Sequence, residues 1–542
     1  MIKLYHVKEM QALEKEANEK GLTYDLMMEH AGEGLADEIQ LAYSHLPIKK
    51  ILAIVGSGNN GGDALVALSH LSKHGWETYA YIIRARDPAD PLSSRLAENG
   101  GQLINAEDDK KSMQLLKLLK SSSILLDGVF GTGIKLPLKE EIAKLLQLIK
   151  SNLGVNGSKI HVVAVDCPSG VDCETGAAAD EVIPAELTIT MAGIKYGLIQ
   201  LPAARLAGEI RVTSIGPVEE YEAYKNNQKI ILTAETIKQY LPERPIDAHK
   251  GTFGTAVIIA GSVNYTGAAL LAGLAAYRSG TGLVTLAIPA LLHTALAGEF
   301  PESTWVILPD ELGVISADAA RIVNQNLDRA TAVLIGPGLG LEDTTRDFLT
   351  RLFSDTGSGE KGEIGFIQGT RSNKGSDHFQ KPIVMDADGL KLISTIPDWY
   401  KLLPSPAILT PHPGEMSVLT GLSVGEIQRD RIGIAVKYSQ QWDHVIVLKG
   451  AYTVIAAPDG SIAIVPIATP ALARAGTGDV LAGLIVGLRA QGVDAFQAAC
   501  AGAWLHATAG ILAAKRLGTS VSVIARDVLD AIPQVLSDLF QT

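Results

Sequence analysis

Short apolar runs alternate with amphipathic stretches along almost the whole chain, and most of the runs end in a turn of glycine or acid. A parallel α/β sheet requires this pattern. Its strands, buried on both faces, read as continuous aliphatic runs, helices return the chain, and ligands collect beyond the strand C-termini. The alternation occurs twice. Up to about residue 217 the runs are "ILAIV", "TYAYII", "ILLDGVF", "IHVVAVD" and "LTITM". From about Ile230 they are "TAVIIAG", "LVTLAI", "AVLIG", "PIVMDA", "AILT" and "HVIVLKG", closing in three helical stretches. The polar piece "VEEYEAYKNNQK" interrupts the alternation. Two α/β domains are therefore expected, 1–218 and 229–542, the first a Rossmann-like doubly wound sheet. Between "AVLIG" and "PIVMDA", the polar, glycine-rich stretch Ser354 to Gln380 reads as a surface insertion or lid, or as a disordered segment.

A chain of 542 residues, 47% hydrophobic but 5% aromatic, suits two cores built from small aliphatics. Its net charge of -12 argues against nucleic acid and anionic membranes as partners. Two charge-free windows fit soluble packing better than a membrane span: Ser279 to Gly298 splits at Pro289 into strand and helix, and Ala495 to Ala514 is rich in Ala and Gly. Cys167, Cys173 and Cys500 have no C-x-x-C spacing, so neither a zinc site nor a disulfide framework is indicated, and a reducing cytoplasm is the expected compartment. A homo-oligomer is expected.

The first run leads into "VGSGNNGGDAL", which fits G-x-G-x-x-G through Gly56, Gly58 and Gly61. Such a turn favours an anionic ligand, because glycines let backbone N–H groups approach and the helix N-terminus carries partial positive charge. A nicotinamide dehydrogenase would place an acid at the end of the next strand, where this chain has Arg84 and Arg86. Arginines there suit a 2′-phosphate, but a carboxylate at Asp63 would repel a bound pyrophosphate. Asn60, Asp127 and Ser169 are oxygen donors from separate turns and suit a hard cation better than zinc or iron; each is also an ordinary cap or turn residue.

"LMMEHAG", "GNNGGD", "DGVFGTG" and "AVDCPSGVD" together resemble the NAD(P)H-hydrate epimerase family, also called YjeF N-terminal, over the whole first domain. Ala64 stands where that family usually has glycine, and His30 where it usually has asparagine. The resemblance implies that Asn59, Asn60, Gly61, Gly62 and Asp63 contact the hydrated nucleotide, as do Gly131, Thr132, Gly133, Ile134, Lys135, Leu136 and Pro137. It further implies potassium (K+) on Asn60, Asp127 and Ser169, and a substrate contact with proton transfer at Asp166. The hydrate carries a hydroxyl beside the ring nitrogen, so one placed carboxyl could assist C–O cleavage and re-addition on the other face.

In the second domain, "ARAGTGDVLAG" offers the amides of Gly476, Thr477 and Gly478 to phosphate, with Asp479 in reach of a hydroxyl. Alone it is equally an ordinary glycine-opened helix with an N-terminal acid. With "HKGTFGTAVIIAGS", "GPGLG", "MDADGL", "LTPHPGEM" and "LKGAYTVI" it resembles the ADP-dependent NAD(P)H-hydrate dehydratase family, a branch of the ribokinase-like fold. The resemblance implies hydrate contacts at Gly340, His412, Pro413, Gly414, Glu415, Met416, Ser417, Val418 and Asp479. It implies ADP contacts at Lys449, Gly450, Ala451, Tyr452 and Thr453, and at Arg474, Ala475, Gly476, Thr477 and Gly478. Asp479 would be catalytic, and His412 would shape the loop rather than act chemically. Arg474 stands where the family has tandem glycines. ADP as co-substrate and magnesium (Mg2+) are implied for this domain. Two other readings remain at this stage: a ribokinase-like small-molecule kinase, and a first domain that binds without catalysing.

Overall fold

In a computed structural model the described residues are 1–87, 89–154, 160–354 and 379–541. They form two compact units, Ile2–Lys229 and Ile230–Thr542, the latter joined by Met1. Apart from its ends at Ser354, Phe379 and Gln380, the insertion read from the sequence lies outside the described residues.

The first unit is built on a 7-stranded sheet in the order Gln102–Asn105, Glu77–Ile82, Lys50–Val55, Ile124–Gly128, His161–Val165, Leu187–Met191, Glu209–Thr213. Every neighbouring pair is parallel. In chain order this is 3-2-1-4-5-6-7, the doubly wound arrangement, with its reversal between Lys50–Val55 and Ile124–Gly128. The turns following those two strands therefore open into the crevice at the switch point. Aliphatic side chains on opposite sides of the sheet make two cores. One includes Ile51, Ala53, Val55 and Leu65 with the helix Tyr24–Tyr43; the other includes Leu52, Ile54, Leu125 and Leu146 with the helix Glu140–Asn152. The segment between the two sequence alternations packs into this unit: Tyr221 and Tyr224 lie against its core, and the Asn227 amide donates to the Leu4 carbonyl at 2.8 Å.

In the second unit, parallel strands run in the order Thr304–Leu308, Leu283–Pro289, Thr255–Ile259, Ala332–Ile335, Ile383–Met385, Ile408–Leu409, Val445–Leu448. An antiparallel pair, Val454–Ala456 and Ile462–Ile464, extends the last of them. The helices Thr477–Ala490, Ala495–Leu517 and Ala525–Gln541 cover the core. Both charge-free windows lie inside this unit, the first divided at Pro289 between strand and helix, and no described helix is long and apolar enough to cross a membrane.

Candidate active sites

Beyond the strand ends of the first unit lies a cavity of about 670 Å3 whose walls include Gly56, Asn59, Asn60 and Asp63, the segment Val129 to Lys135, Asp166 and Lys195. The turn can pass so close to the strand end because a Cβ on Gly61 would lie 2.1 Å from the Gly56 carbonyl oxygen. Asn59, Asn60, Asp63, Gly131 to Lys135 and Asp166 thus line one cavity, with Gly61 and Gly62 in the same turn and Leu136 and Pro137 next along the same loop.

Asp166 follows the strand His161–Val165 with φ of +62°. Its Oδ1 accepts from Lys195 Nζ at 2.5 Å and from Thr190 Oγ1 at 2.9 Å. Lys195, 1% exposed, also donates to the Met191 carbonyl at 2.8 Å and to Thr190 Oγ1 at 2.9 Å. A buried ammonium needs this many acceptors to replace its water. Asp63 stands nearby and, among the described residues, has no cation paired with it. Burial pushes its carboxyl well above the usual carboxylate range, Asp166 and Glu14 add to the effect, and Lys195 opposes it. The shift favours the protonated form, the form that repels phosphate least.

Asn60, Asp127 and Ser169 gather around one further oxygen, the Phe130 carbonyl. Ser169 Oγ donates to Asp127 Oδ1 at 2.5 Å and lies 3.5 Å from that carbonyl, while Asn60 Nδ2 donates to it at 3.0 Å. Ser169 is 0% and Asp127 2% exposed, and burial raises the Asp127 pKa. Arg84 also lines the cavity, whereas Arg86 is held by Asp90 at 2.8 Å and by the Gly56 carbonyl at 3.3 Å.

In the second unit Gly476 precedes the helix Thr477–Ala490 with φ of +87°, where a Cβ would meet Leu271 at 2.9 Å and Ala525 at 3.0 Å. The first amides of that helix have no acceptors within it. Thr477 Oγ1 ties down the preceding loop through the Leu472 and Arg474 carbonyls, at 2.9 and 2.8 Å. Arg474 itself is exposed and donates to the Val521 carbonyl at 2.7 Å. Asp479, in the first helical turn, has its carboxyl pushed up to about 7 by burial and then by Asp386, Asp388 and Glu415, with Lys449 opposing. A base poised near neutrality is what proton abstraction from a hydroxyl requires.

Lys449 ends the strand Val445–Leu448 in a buried ion network, with its Nζ 2.7 Å from Asp386 Oδ1 and 3.5 Å from Glu415 Oε2. Thr410 Oγ1 also donates to Asp386 Oδ1, at 2.7 Å. Asp388 accepts from the Gly340 amide at 3.1 Å and from Lys391 at 3.1 Å, which brings the "GPGLG" turn to the same edge. His412 caps the helix Pro413–Thr420: its Nδ1 accepts from the Gly414 amide at 3.0 Å, and Glu415 reaches back to the His412 amide at 2.8 Å. Burial lowers its pKa. Met416 is fully buried, Ser417 Oγ donates to the Leu422 carbonyl at 2.6 Å and Val418 is exposed. The turn from Lys449 to Thr453 is clamped by Arg431, whose guanidinium donates to the Leu448 carbonyl at 2.8 Å and to the Ala451 carbonyl.

Residues 256–534 match the family described as NAD(P)H-hydrate dehydratase, and residues 25–197 match the YjeF-related protein N-terminus family. The bifunctional NAD(P)H-hydrate repair enzyme of Moorella thermoacetica is 35% identical over 520 residues, covering 95% of this chain and 92% of its own. This chain belongs to the bifunctional NAD(P)H-hydrate repair enzymes. The Escherichia coli member is 31% identical, with 95% of this chain and 90% of its own covered. Among solved structures, the ADP/ATP-dependent NAD(P)H-hydrate dehydratase from Bacillus subtilis, co-crystallized with ATP/Mg2+, is 32% identical with a TM-score of 0.46, covering 57% of this chain and 97% of that one. The repair enzyme's first unit holds the YjeF-related match and its second the dehydratase match.

Sequence reasoning passed over Lys195, Asp386, Arg431 and the Phe130 carbonyl of this repair enzyme. Lys195 had a signal, a single cation closing the apolar stretch "LTITMAGIK", and Asp386 stands inside the quoted motif "MDADGL". A backbone carbonyl leaves no trace in residue type.

Proposed function

We propose that the first unit interconverts the R and S hydrates of NADH and NADPH at Asp166, and that the second unit dehydrates the S hydrate with ADP. Asp479 takes the proton of the ring hydroxyl as its oxygen attacks the β-phosphorus and AMP leaves. Phosphate then departs with the C–O bond while C5 gives up a proton, and the double bond of the reduced cofactor returns. Esterification matters because hydroxide is a poor leaving group and phosphate a good one. The observation that carries the reading is Asp479: a carboxyl with its pKa at about 7 at the head of a glycine-opened helix, surrounded by Asp386, Asp388 and Glu415.

The oxygen set of Asn60, Asp127, Ser169 and the Phe130 carbonyl fits potassium, with one formal charge and otherwise neutral oxygens. Bound there, the ion would supply positive charge at the mouth of the glycine turn. Magnesium would travel on the nucleotide's own phosphates, since this ion keeps few protein ligands. Arg84, at the strand end from which the adenosine ribose is read in such sheets, would meet the 2′-phosphate of the NADPH hydrate.

The test separates the two steps. Asp166→Asn and Asp479→Asn proteins are each incubated with R hydrate and ADP, then mixed. Asp166→Asn alone should repair the R hydrate only as fast as it epimerises spontaneously, Asp479→Asn alone should equilibrate R with S and form no reduced cofactor, and the mixture should restore repair. Accumulation of a stable phosphorylated hydrate with the parent enzyme would show a kinase instead.

A further inference from the structure

Loss and return of water at one carbon moves two protons: one to the departing hydroxyl, one from the arriving water. Because epimerisation runs in both directions, the donor and the acceptor must be able to exchange roles. Asp166 accounts for one of them. Besides Asp166, the same cavity is lined by the carboxyls of Asp63 and Glu14, and neither makes a hydrogen bond or ion pair among the described residues. Asp63 sits within the glycine turn, already among the residues implied to contact the hydrated nucleotide. Glu14 comes from elsewhere, the helix Val7–Glu19, which precedes the matched segment 25–197.

A glutamate on an amphipathic helix ordinarily faces water, but Glu14 follows Leu13 on the edge of the buried stripe of Met10, Leu13 and Ala17, and is turned into the cavity. Its helix is fixed at several points. The Val7 amide donates to Glu174 Oε2 at 2.9 Å, Glu9 pairs with Lys229 at 2.6 Å, and Glu16 accepts from the Glu222 and Ala223 amides at 3.0 and 2.9 Å. These contacts fix the backbone that presents the Glu14 carboxyl to the cavity, which narrows the positions it can take for proton transfer. The charged and titratable groups facing it are Asp63, Asp166 and Lys195, with Arg84, Lys135 and Lys139 further along the walls.

We propose that Glu14 is the second proton carrier of the epimerase site, exchanging roles with Asp166; this rests on the assignment of Asp166 above. In one direction the Glu14 acid gives its proton to the C6 hydroxyl. The C6–O bond breaks, water leaves, and the ring-nitrogen lone pair closes an N1=C6 double bond. A water oxygen then adds to the other face of C6, the π pair returns to nitrogen, and the water's proton passes to the Asp166 carboxylate. The reverse direction swaps the two acids. Burial raises the Glu14 pKa, with Lys195 opposing and Asp166 adding, which keeps the acid form populated at higher pH than for a solvated glutamate.

Glu14→Gln in the full chain should slow R-to-S exchange by about 100-fold or more, the usual range for a positioned acid or base. KM should stay within a few-fold, dehydratase activity should be intact, and one limb of the pH–rate profile should disappear. Glu14→Asp should recover part of the rate together with the missing limb. Exchange in Glu14→Gln at close to the parent rate would overturn the proposal, as would a lost rate with both limbs retained. Asp166→Asn at the parent rate, with Glu14→Gln impaired, would overturn the Asp166 assignment and leave Glu14 standing as a proton carrier.

Discussion

Lys449 lies 2.7 Å from Asp386 and 3.5 Å from Glu415, so a single ammonium balances two nearly inaccessible carboxylates beneath the helix that carries Asp479. Removing it leaves buried charges without compensation. Lys449→Met is predicted to cost about 3–5 kcal/mol in urea unfolding of the second unit, the range for breaking one side of a buried pair. It should also drive the Asp479 carboxyl further upward, since Lys449 is the cation opposing that shift. Adding Asp386→Asn to Lys449→Met should recover part of the stability without restoring dehydratase activity.

Asp479 couples activity to stability in opposite senses. Its folded-state pKa of about 7 exceeds the ordinary carboxylate value, so the folded chain holds a proton that the unfolded chain has released between about pH 4 and 7. Stability therefore falls as pH rises through that window, while the ionised base appears and dehydratase kcat climbs. Asp479→Asn should abolish the ascending limb and lower kcat by about 100- to 10,000-fold. At pH 8 it should be more stable than the parent, on the order of a few kcal/mol. Thermal melts at pH 5 and pH 8 check the sign.

In the first unit, Lys195→Met strands the Asp166 carboxylate, and a loss of about 3–5 kcal/mol is expected. Pairing it with Asp166→Leu should regain much of that stability. Epimerase activity should be lost in both, with ADP-dependent repair of the S hydrate unaffected, as read by the return of dihydronicotinamide absorbance.

Arg84→Ala separates the two nucleotides. The KM for epimerising the NADPH hydrate should rise about tenfold or more, as expected for loss of a charge-assisted contact. The KM for the NADH hydrate, which lacks the 2′-phosphate, should move little. Equal shifts for both would remove Arg84 from phosphate recognition.

The strands that were legible in the sequence are the ones buried on both faces, such as "ILAIV" and "HVIVLKG", because only there does burial demand an unbroken aliphatic run. Gln102–Asn105, mostly exposed, and Glu209–Thr213, which alternates charge with apolar residues, are the two edges of the first sheet and gave no such run. Thr304–Leu308, at an edge of the second sheet, is partly exposed although "WVIL" is an unbroken apolar run, so its place in the sheet was not legible from burial. The glycine turns were legible because close backbone approach dictates residue type. Glu14 was not, since nothing local separates it from Glu9, Glu16 or Glu19 on the same helix. What sets it apart is which wall it faces, a property of the tertiary fold.

The central claim, two successive repairs on one chain, is tested most directly by following a mixture of R and S hydrates with ADP to completion while chromatography resolves the epimers. The parent enzyme should consume both and form one reduced cofactor, one AMP and one phosphate per hydrate. Asp166→Asn should consume the S hydrate at the parent rate and leave the R hydrate to decline only at its spontaneous rate of epimerisation. If Asp166→Asn consumes both epimers as fast as the parent, or if the parent stops with the R hydrate intact, the first unit is not the epimerase described here.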